Sequence, residues 1–249
     1  MYDEIANLYH LTYEDWDAAI EHQAAALDQV FRRLVGVAPL EVLDVSCGIG
    51  TQALGLAARS HKLSASDLSV AAVNRARREA ELRGLKIKFA VADMRDCADV
   101  HGGGFDVVLS AGNSIPHLVE AEVVKALAEF YESLRPGGLV AIGMRDYSVE
   151  DDSANSPQML PFGFRQHGDD RYFVFQVRDW EGAEYDVTMY FVREARTGEP
   201  AHVTSGKSRY YPIEIDQMIS LLRGVGFENI DRIDDAIYKP LVVGRRRRE

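Results

Sequence analysis

Cysteine is scarce: Cys47 and Cys97 are the only two in 249 residues. Two isolated thiols give neither a disulfide framework nor a zinc site. No His/Cys cluster has ligand spacing, so no metal is expected. Positive charge is in deficit, with 28 Lys and Arg against 39 Asp and Glu and a net charge of −11. Surfaces that bind nucleic acid carry a basic excess, so no nucleic-acid partner is expected. Arg245 to Arg248 read as a solvated tail on an acidic body. No apolar run is long enough to span a bilayer, and no secretory signal opens the chain. No internal repeat or low-complexity segment stands out. The expectation is a soluble cytoplasmic protein with no membrane partner, its oligomeric state left open. Hydrophobic residues make up 47 % of the chain, enough for the core of one large α/β domain with an insertion.

The chain is organised around Leu40 to Ala53, LEVLDVSCGIGTQA. Val42, Leu43 and Val45, with Asp44 among them, read as a buried parallel strand. Gly48 and Gly50 allow a sharp turn and close approach to a ligand. Thr51 to Arg59 is rich in Ala and Leu and reads as a helix. A ligand in the turn would meet backbone N–H groups at that helix start. A P-loop is excluded because no Lys-Ser or Lys-Thr follows. The G-x-G-x-x-G dinucleotide fingerprint is matched incompletely, with Ala53 in its third position, so NAD stays a weaker alternative. The loop resembles the first motif of class I S-adenosylmethionine-dependent methyltransferases, in which D-x-x-C-G-x-G is a common form.

Before this stretch lie Tyr2, Tyr9, Tyr13 and Trp16, aromatics that suit either packing or a lid. A helix is predicted from Asp17 to Val35, ended by Gly36 and Pro39. After the glycine loop a strand runs from His61 to Asp67, whose carboxylate is placed to accept ribose hydroxyls. Ser69 is better placed to cap the helix that runs to Arg83. A third strand, Lys86 to Val91, leads to Asp93 and Met94, candidates for the adenine amino group and ring. Phe105 to Ser110 is the fourth strand, Glu120 to Leu134 a helix, and Leu139 to Met144 the fifth strand. Ligands in open α/β sheets bind beyond the carboxyl ends of strands. The cofactor-side candidates are therefore Asp44, Ser46, Gly48, Gly50, Asp67, Leu68, Asp93, Met94, Ser110 and Gly112.

The alternation predicts a doubly wound, mostly parallel sheet, and the resemblance to methyltransferases implies seven strands in their Rossmann-like fold. Ser148 to Pro161 reads as a loop. Three strands follow, at Arg171–Val177, Tyr185–Arg193 and Val203–Pro212, with turns at Glu181-Gly182 and Thr197-Gly198. The core resumes with a helix from Glu214 to Val225. Strands Phe227–Ile233 and Leu241–Gly244 then form an antiparallel pair at the sheet edge. The predicted organisation is an N-terminal lid and helix over 1–36, and a cofactor-binding core over 37–147 and 213–249. An antiparallel insertion over 148–212 covers the substrate site.

Four blocks, VLDVSCGIG, GNSIPHL, LRPGGLVAIGMRDY and SRYYP, together with YKPLVV, resemble the glycine N-methyltransferase family and its glycine/sarcosine relatives. The resemblance runs from Tyr9 to Val243. It implies S-adenosylmethionine as cofactor and S-adenosylhomocysteine as product. It also implies that Asn113 and Arg145 hold a small amino-acid substrate and that His117 lies near the methionine part of the cofactor. One departure is R-D-Y, with Asp146, where the family has R-N-Y. Another is the basic residue that the family places before the first strand, for which His22, Gln23, Arg32 and Arg33 are candidates.

Methyl transfer from a sulfonium is an in-line displacement, so the protein's task is alignment and exclusion of water. Asn113 or the hydroxyls of Tyr9, Tyr13, Tyr210 and Tyr211 can orient an acceptor amine, and Arg145 can fork onto a carboxylate. Arg145 has a structural alternative, an ion pair with Asp146. Trp16 suits packing as well as the site, and His117 suits a core position. Tyr210 and Tyr211 point to opposite faces of one strand, so one of them faces the site. The expected enzyme N-methylates an amino acid or small amine-bearing carboxylate. The runner-up is C- or O-methylation of an aromatic acceptor such as an indole. Outside that class stand an NAD-dependent oxidoreductase and a non-catalytic cofactor-binding module.

Overall fold

The computed structural model describes residues 2–36, 39–149, 156–195 and 198–248. The short helix α1 (Tyr2–Ile5) and a 3-10 turn at Tyr9–Thr12 precede α2 (Trp16–Leu34). Asp15 starts α2, because its side chain accepts from Ala18 N at 2.9 Å. Then come β1 (Glu41–Asp44), α3 (Thr51–Ala58), β2 (Lys62–Asp67), α4 (Val70–Leu82) and β3 (Ile87–Val91). The short helix α5 (Cys97–His101), β4 (Phe105–Ser110), α6 (Glu120–Ser133) and β5 (Leu134–Gly143) complete the first half.

These strands, with β10 (Glu228–Ile233) and β11 (Leu241–Arg245), make a seven-stranded sheet in the order β10-β11-β5-β4-β1-β2-β3. Pairing is parallel from β5 to β3, and β11 lies antiparallel to both β5 and β10. Period-2 alternation splits the core between the two sheet faces. Val42, Val107 and Ala141 pack with Leu27 and Phe31 of α2. Leu43, Val108 and Ile142 pack with Leu127 of α6 and Met218 and Leu222 of α7 (Ile215–Val225). At Gly55, α3 crosses α2 so closely that a Cβ there would lie 2.5 Å from Ala24 Cβ and 2.6 Å from the Ile20 carbonyl oxygen.

A separate antiparallel sheet is inserted between β5 and α7, in the order β6 (Gln158–His167), β7 (Asp170–Glu181), β8 (Glu184–Arg193), β9 (His202–Tyr210). It has four strands, where the sequence predicts three. The unpredicted β6 carries Pro161 and Gly163, which read as breakers. Both sit at a register shift on an edge strand, where a missing N–H costs no ladder bond. The predicted loop at 148–161 is thus shorter, and residues 150–155 lie outside the described ones. So does Thr197 of the Thr197-Gly198 turn. The fifth strand also begins earlier than predicted, since Leu134 pairs with Phe105 across an irregularity that accommodates Pro136 and Gly137. Among the described residues no helix is long and apolar enough to cross a membrane.

Candidate active site

The turn after β1 is left-handed at Gly48 (φ +53°) and at Gly50 (φ +97°), the residue before α3. Cys47 N donates to the Ser66 carbonyl at 2.9 Å. Asp67, at the tip of β2, receives Gly48 N on one carboxylate oxygen and Ser69 N on the other, each at 2.9 Å. Ser69 caps α4 by accepting from Ala72 N. Burial pushes the Asp67 carboxyl up from its ordinary value against these backbone N–H groups. Asp44 is buried more completely. Its Oδ1 accepts from Ser46 N at 3.3 Å, while Oδ2 is buried with no hydrogen-bond partner. Desolvation raises its pKa to about 7.

The other predicted cofactor-side residues lie at or just beyond the carboxyl ends of β1 to β4. The Ser46 and Ser110 hydroxyls meet at 3.0 Å, tying the end of β1 to that of β4. Leu68 stands 68 % exposed beside Asp67. Asp93 is held by the Arg95 guanidinium, which keeps its carboxyl below the usual range. Met94 is half-buried against the core.

A cavity of about 620 Å³ lies beyond the carboxyl ends of β4 and β5. Its walls come from the N-terminal segment (Tyr2, Tyr9, Tyr13), the core (Gly112, Asn113, Arg145, Tyr238) and the inserted sheet (Phe162, Arg178, Tyr185, Tyr210). Asn113 adopts φ +65°, a left-handed conformation that asparagine tolerates better than most residues. Its Oδ1 accepts from Arg145 N at 2.7 Å, and its Nδ2 donates to the Tyr147 hydroxyl at 2.9 Å. That hydroxyl lies 3.0 Å from the Tyr185 hydroxyl. Arg145 is 9 % exposed, with its guanidinium 5.9 Å from the Tyr147 ring centre. Asp146 turns away, accepting from Ser148 and pairing with Arg232 at 2.7 Å. The departure from R-N-Y thus serves an ion pair between a buried carboxylate and a partly exposed guanidinium.

Tyr9, Tyr13, Gly112, Asn113, Arg145 and Tyr210 therefore share one cavity; Trp16, His117 and Tyr211 do not line it. Trp16 is packed in the core and donates Nε1–H to Thr51 Oγ1 at 2.8 Å. His117 lies behind the wall. Its ring nitrogens meet the Tyr2 hydroxyl at 2.9 Å and the Ser208 hydroxyl at 3.1 Å, and burial pulls its pKa down to about 4. Tyr211 follows β9 and donates its N–H to the Pro116 carbonyl at 2.7 Å. Asp44, Ser46, Gly48, Gly50, Asp67, Leu68, Asp93, Met94 and Ser110 lie at or just beyond the carboxyl ends of β1 to β4 and are not part of the cavity wall. Tyr13 connects the two regions, its hydroxyl 3.5 Å from Thr51 Oγ1 at the start of α3. Of the four candidates before β1, His22 and Gln23 line the cavity, and Arg32 pairs with Asp28 instead.

Sequence reasoning missed Arg178, Tyr185 and Tyr238. Arg178 was recoverable in part, since the period-2 pattern puts it on the same face of β7 as buried Val174. A second cavity, about 560 Å³, opens at the amino ends of the strands beside Glu41 and Phe105. It holds no predicted site residue and lies at the wrong end for a ligand in an open α/β sheet.

A family model described as a methyltransferase domain matches residues 42–138. Glycine/sarcosine N-methyltransferase of Halorhodospira halochloris is 24 % identical over 237 residues, covering 89 % of this chain and 76 % of that protein. The crystal structure of Streptomyces venezuelae DesVI superposes with a TM-score of 0.81 at 20 % identity, covering 96 % of this chain and 97 % of that one. The sugar N-methyltransferase KedS8 from Streptoalloteichus sp ATCC 53650 gives 0.80 at 20 %, covering 97 % and 93 %. The chain is a class I S-adenosylmethionine-dependent methyltransferase.

Proposed function

We propose that this enzyme N-methylates an amino acid or similar small amine-bearing carboxylate. The observation that carries the reading is Arg145, buried in the cavity wall, with its backbone fixed by the Asn113 carboxamide. A planar guanidinium there can take a carboxylate by two parallel hydrogen bonds. The glycine/sarcosine N-methyltransferase likeness along 89 % of the chain supports the same acceptor class.

The residues around the glycine turn fit the cofactor. Asp67 offers a carboxylate at a strand tip for two ribose hydroxyls, and the buried Asp44 Oδ2 is an acceptor still to be satisfied. Asp93 and Met94 would meet the adenine, and His22 or Gln23 the amino-acid end. When bound, S-adenosylmethionine supplies an electrophilic methyl on a sulfonium. The chain's own residues then do the rest. Arg145 anchors the acceptor carboxylate, and the Tyr9, Tyr13 and Tyr210 hydroxyls orient its neutral nitrogen. Tyr2, Tyr9 and the inserted sheet exclude water. Such positioning accounts for much of the rate enhancement of a two-substrate reaction. The test is a mass-spectrometric acceptor screen with methyl-labelled cofactor. N-methylated amino acids are the expected products. Methylation of indoles or phenols, with amino acids untouched, would replace the reading by the aromatic one.

A further inference from the structure

A chain of hydrogen bonds runs from the cavity into the wall behind it. The Tyr210 hydroxyl lies 3.2 Å from the Tyr2 hydroxyl, and both residues line the cavity. The Tyr2 hydroxyl lies 2.9 Å from His117 Nε2, and His117 Nδ1 lies 3.1 Å from the Ser208 hydroxyl. The chain joins α1, the 3-10 turn at Ile115–His117 and β9. Ring contacts fix its members. The His117 and Tyr210 ring centres are 4.2 Å apart, and Tyr210 also stacks on Tyr185 at 5.1 Å. His117 meets the Tyr2 ring edge-on at 5.6 Å. With the ring of Tyr210 held, the freedom left at its oxygen is the direction of the O–H bond.

His117 can set that direction. Burial keeps its ring neutral, with a pKa down at about 4. Amines give up a proton at about pH 8 to 10, so His117 is roughly ten-thousandfold or more too weak a base to take the proton of the reaction. What a neutral imidazole offers instead is polarity: one nitrogen donates and the other accepts. The Arg209 carbonyl, next to Ser208 on β9, favours a proton on the ring, and a carbonyl can only accept.

We propose that His117 carries its proton on Nδ1, toward β9, and that through Tyr2 it makes the Tyr210 oxygen the acceptor of an N–H bond of the bound amine. Nε2 then accepts from Tyr2. Tyr2 has one proton and gives it to Nε2, so its oxygen accepts from Tyr210. The Tyr210 proton points at Tyr2, and its lone pair points at the acceptor. The opposite polarity would aim the Tyr210 O–H at the nitrogen lone pair, the pair that must attack the methyl. An accepting oxygen takes an N–H instead and leaves that pair aligned for displacement. Tyr210 would touch the substrate, while Tyr2 and His117 are positioning residues. The inference rests on the reading that the acceptor is an amino carboxylate.

Two measurements test it. Nitrogen NMR of the isotope-labelled full chain at neutral pH, which needs no acceptor, should show His117 as the Nδ1–H tautomer. The Nε2–H tautomer would reverse the chain and overturn the proposal. Kinetics of glycine, N-methylglycine and N,N-dimethylglycine are then compared in wild type, Tyr2→Phe, His117→Gln and the double variant. Tyr2→Phe keeps the ring and removes the link. It should lower kcat by about tenfold for glycine and N-methylglycine, with KM little changed. N,N-dimethylglycine should stay near wild type, because its neutral nitrogen has no N–H to give. His117→Gln should add little to Tyr2→Phe, since it acts through that hydroxyl. An equal loss with all three acceptors, or full additivity in the double variant, would sink the proposal while N-methylation of amino carboxylates stands. If wild type methylates none of the three, both fail together. Where wild type takes glycine alone, the double variant decides. Should a variant not fold, the tautomer decides.

Discussion

The Asn113 side-chain oxygen accepts a hydrogen bond from the backbone N–H of Arg145 at 2.7 Å, across 32 residues of sequence. One loop residue thereby sets the position from which the cavity's guanidinium departs. Asn113→Gly keeps the left-handed backbone and removes the carboxamide. The buried Arg145 N–H then loses its acceptor, at a cost of about 1–3 kcal/mol. Asn113→Ala should be worse, because it keeps a Cβ at φ +65°, which glycine lacks, without the polar side chain that lets asparagine tolerate that conformation. Denaturation midpoints and acceptor KM for both variants check the order.

Arg145→Lys keeps the charge and loses the planar fork. Acceptor KM should rise, on the order of tenfold or more, while calorimetric cofactor affinity stays near wild type. An acceptor with its carboxylate amidated should be poor with wild type. Equal turnover of the amidated compound, together with a silent Arg145→Lys, would contradict carboxylate anchoring.

Asp67→Ala should weaken binding of S-adenosylmethionine and S-adenosylhomocysteine by about 1.5–3 kcal/mol, the usual worth of hydrogen bonds to a charged group. It also frees Gly48 N and Ser69 N, so a folded variant must be shown by circular dichroism first. Unchanged calorimetric affinity would take Asp67 out of the site.

Asp44 gives a pH dependence of stability. Its folded pKa of about 7 stands above the ordinary carboxylate value of 3.8. The folded state therefore holds a proton that the unfolded chain releases, and stability falls as pH rises between about 4 and 7. Asp44→Asn removes that dependence. It should melt higher than wild type at pH 8, by on the order of 1–3 kcal/mol, and nearly alike at pH 4. Melting curves of both proteins across this range give the answer.

Trp16 should be a stability residue. Trp16→Ala removes a buried indole and its bond to Thr51, for about 3–5 kcal/mol. Trp16→Phe keeps most of the packing and should lose less. If Trp16→Phe melts near wild type but loses acceptor affinity selectively, the ring has a role in the site.

The fold was legible where local signals agreed. Phe105–Ser110 is predicted and observed over the same residues, because the buried run Val107, Val108 and Leu109 is that of a central parallel strand and Ser110 is its polar stop. The strand β6 was illegible because Pro161 and Gly163 signal a break, and only its place at a sheet edge makes them acceptable. The motif pointed to Asn113 and Arg145, and both line the cavity. Their mutual hydrogen bond, and the pairing of Asp146 with Arg232, depend on distant segments and had no local signal. His117 shows the same limit. Its motif puts it beside the site, and two hydroxyls, Tyr2 and Ser208, turn its ring toward the wall instead.

The contact at Gly55 reverses a common rule of protein engineering. Exchanging glycine for alanine inside a helix ordinarily stabilises by roughly 0.4–1 kcal/mol, through the unfolded chain. Here the new methyl would overlap Ala24 and the Ile20 carbonyl, and neither can yield without moving the axis of α2. The displacement would carry Trp16, at one end of that helix, and with it the Thr51 contact that leads to Tyr13 in the cavity. A consensus or propensity-guided library that installs alanine at this position would therefore lose thermal tolerance and catalytic alignment in a single step.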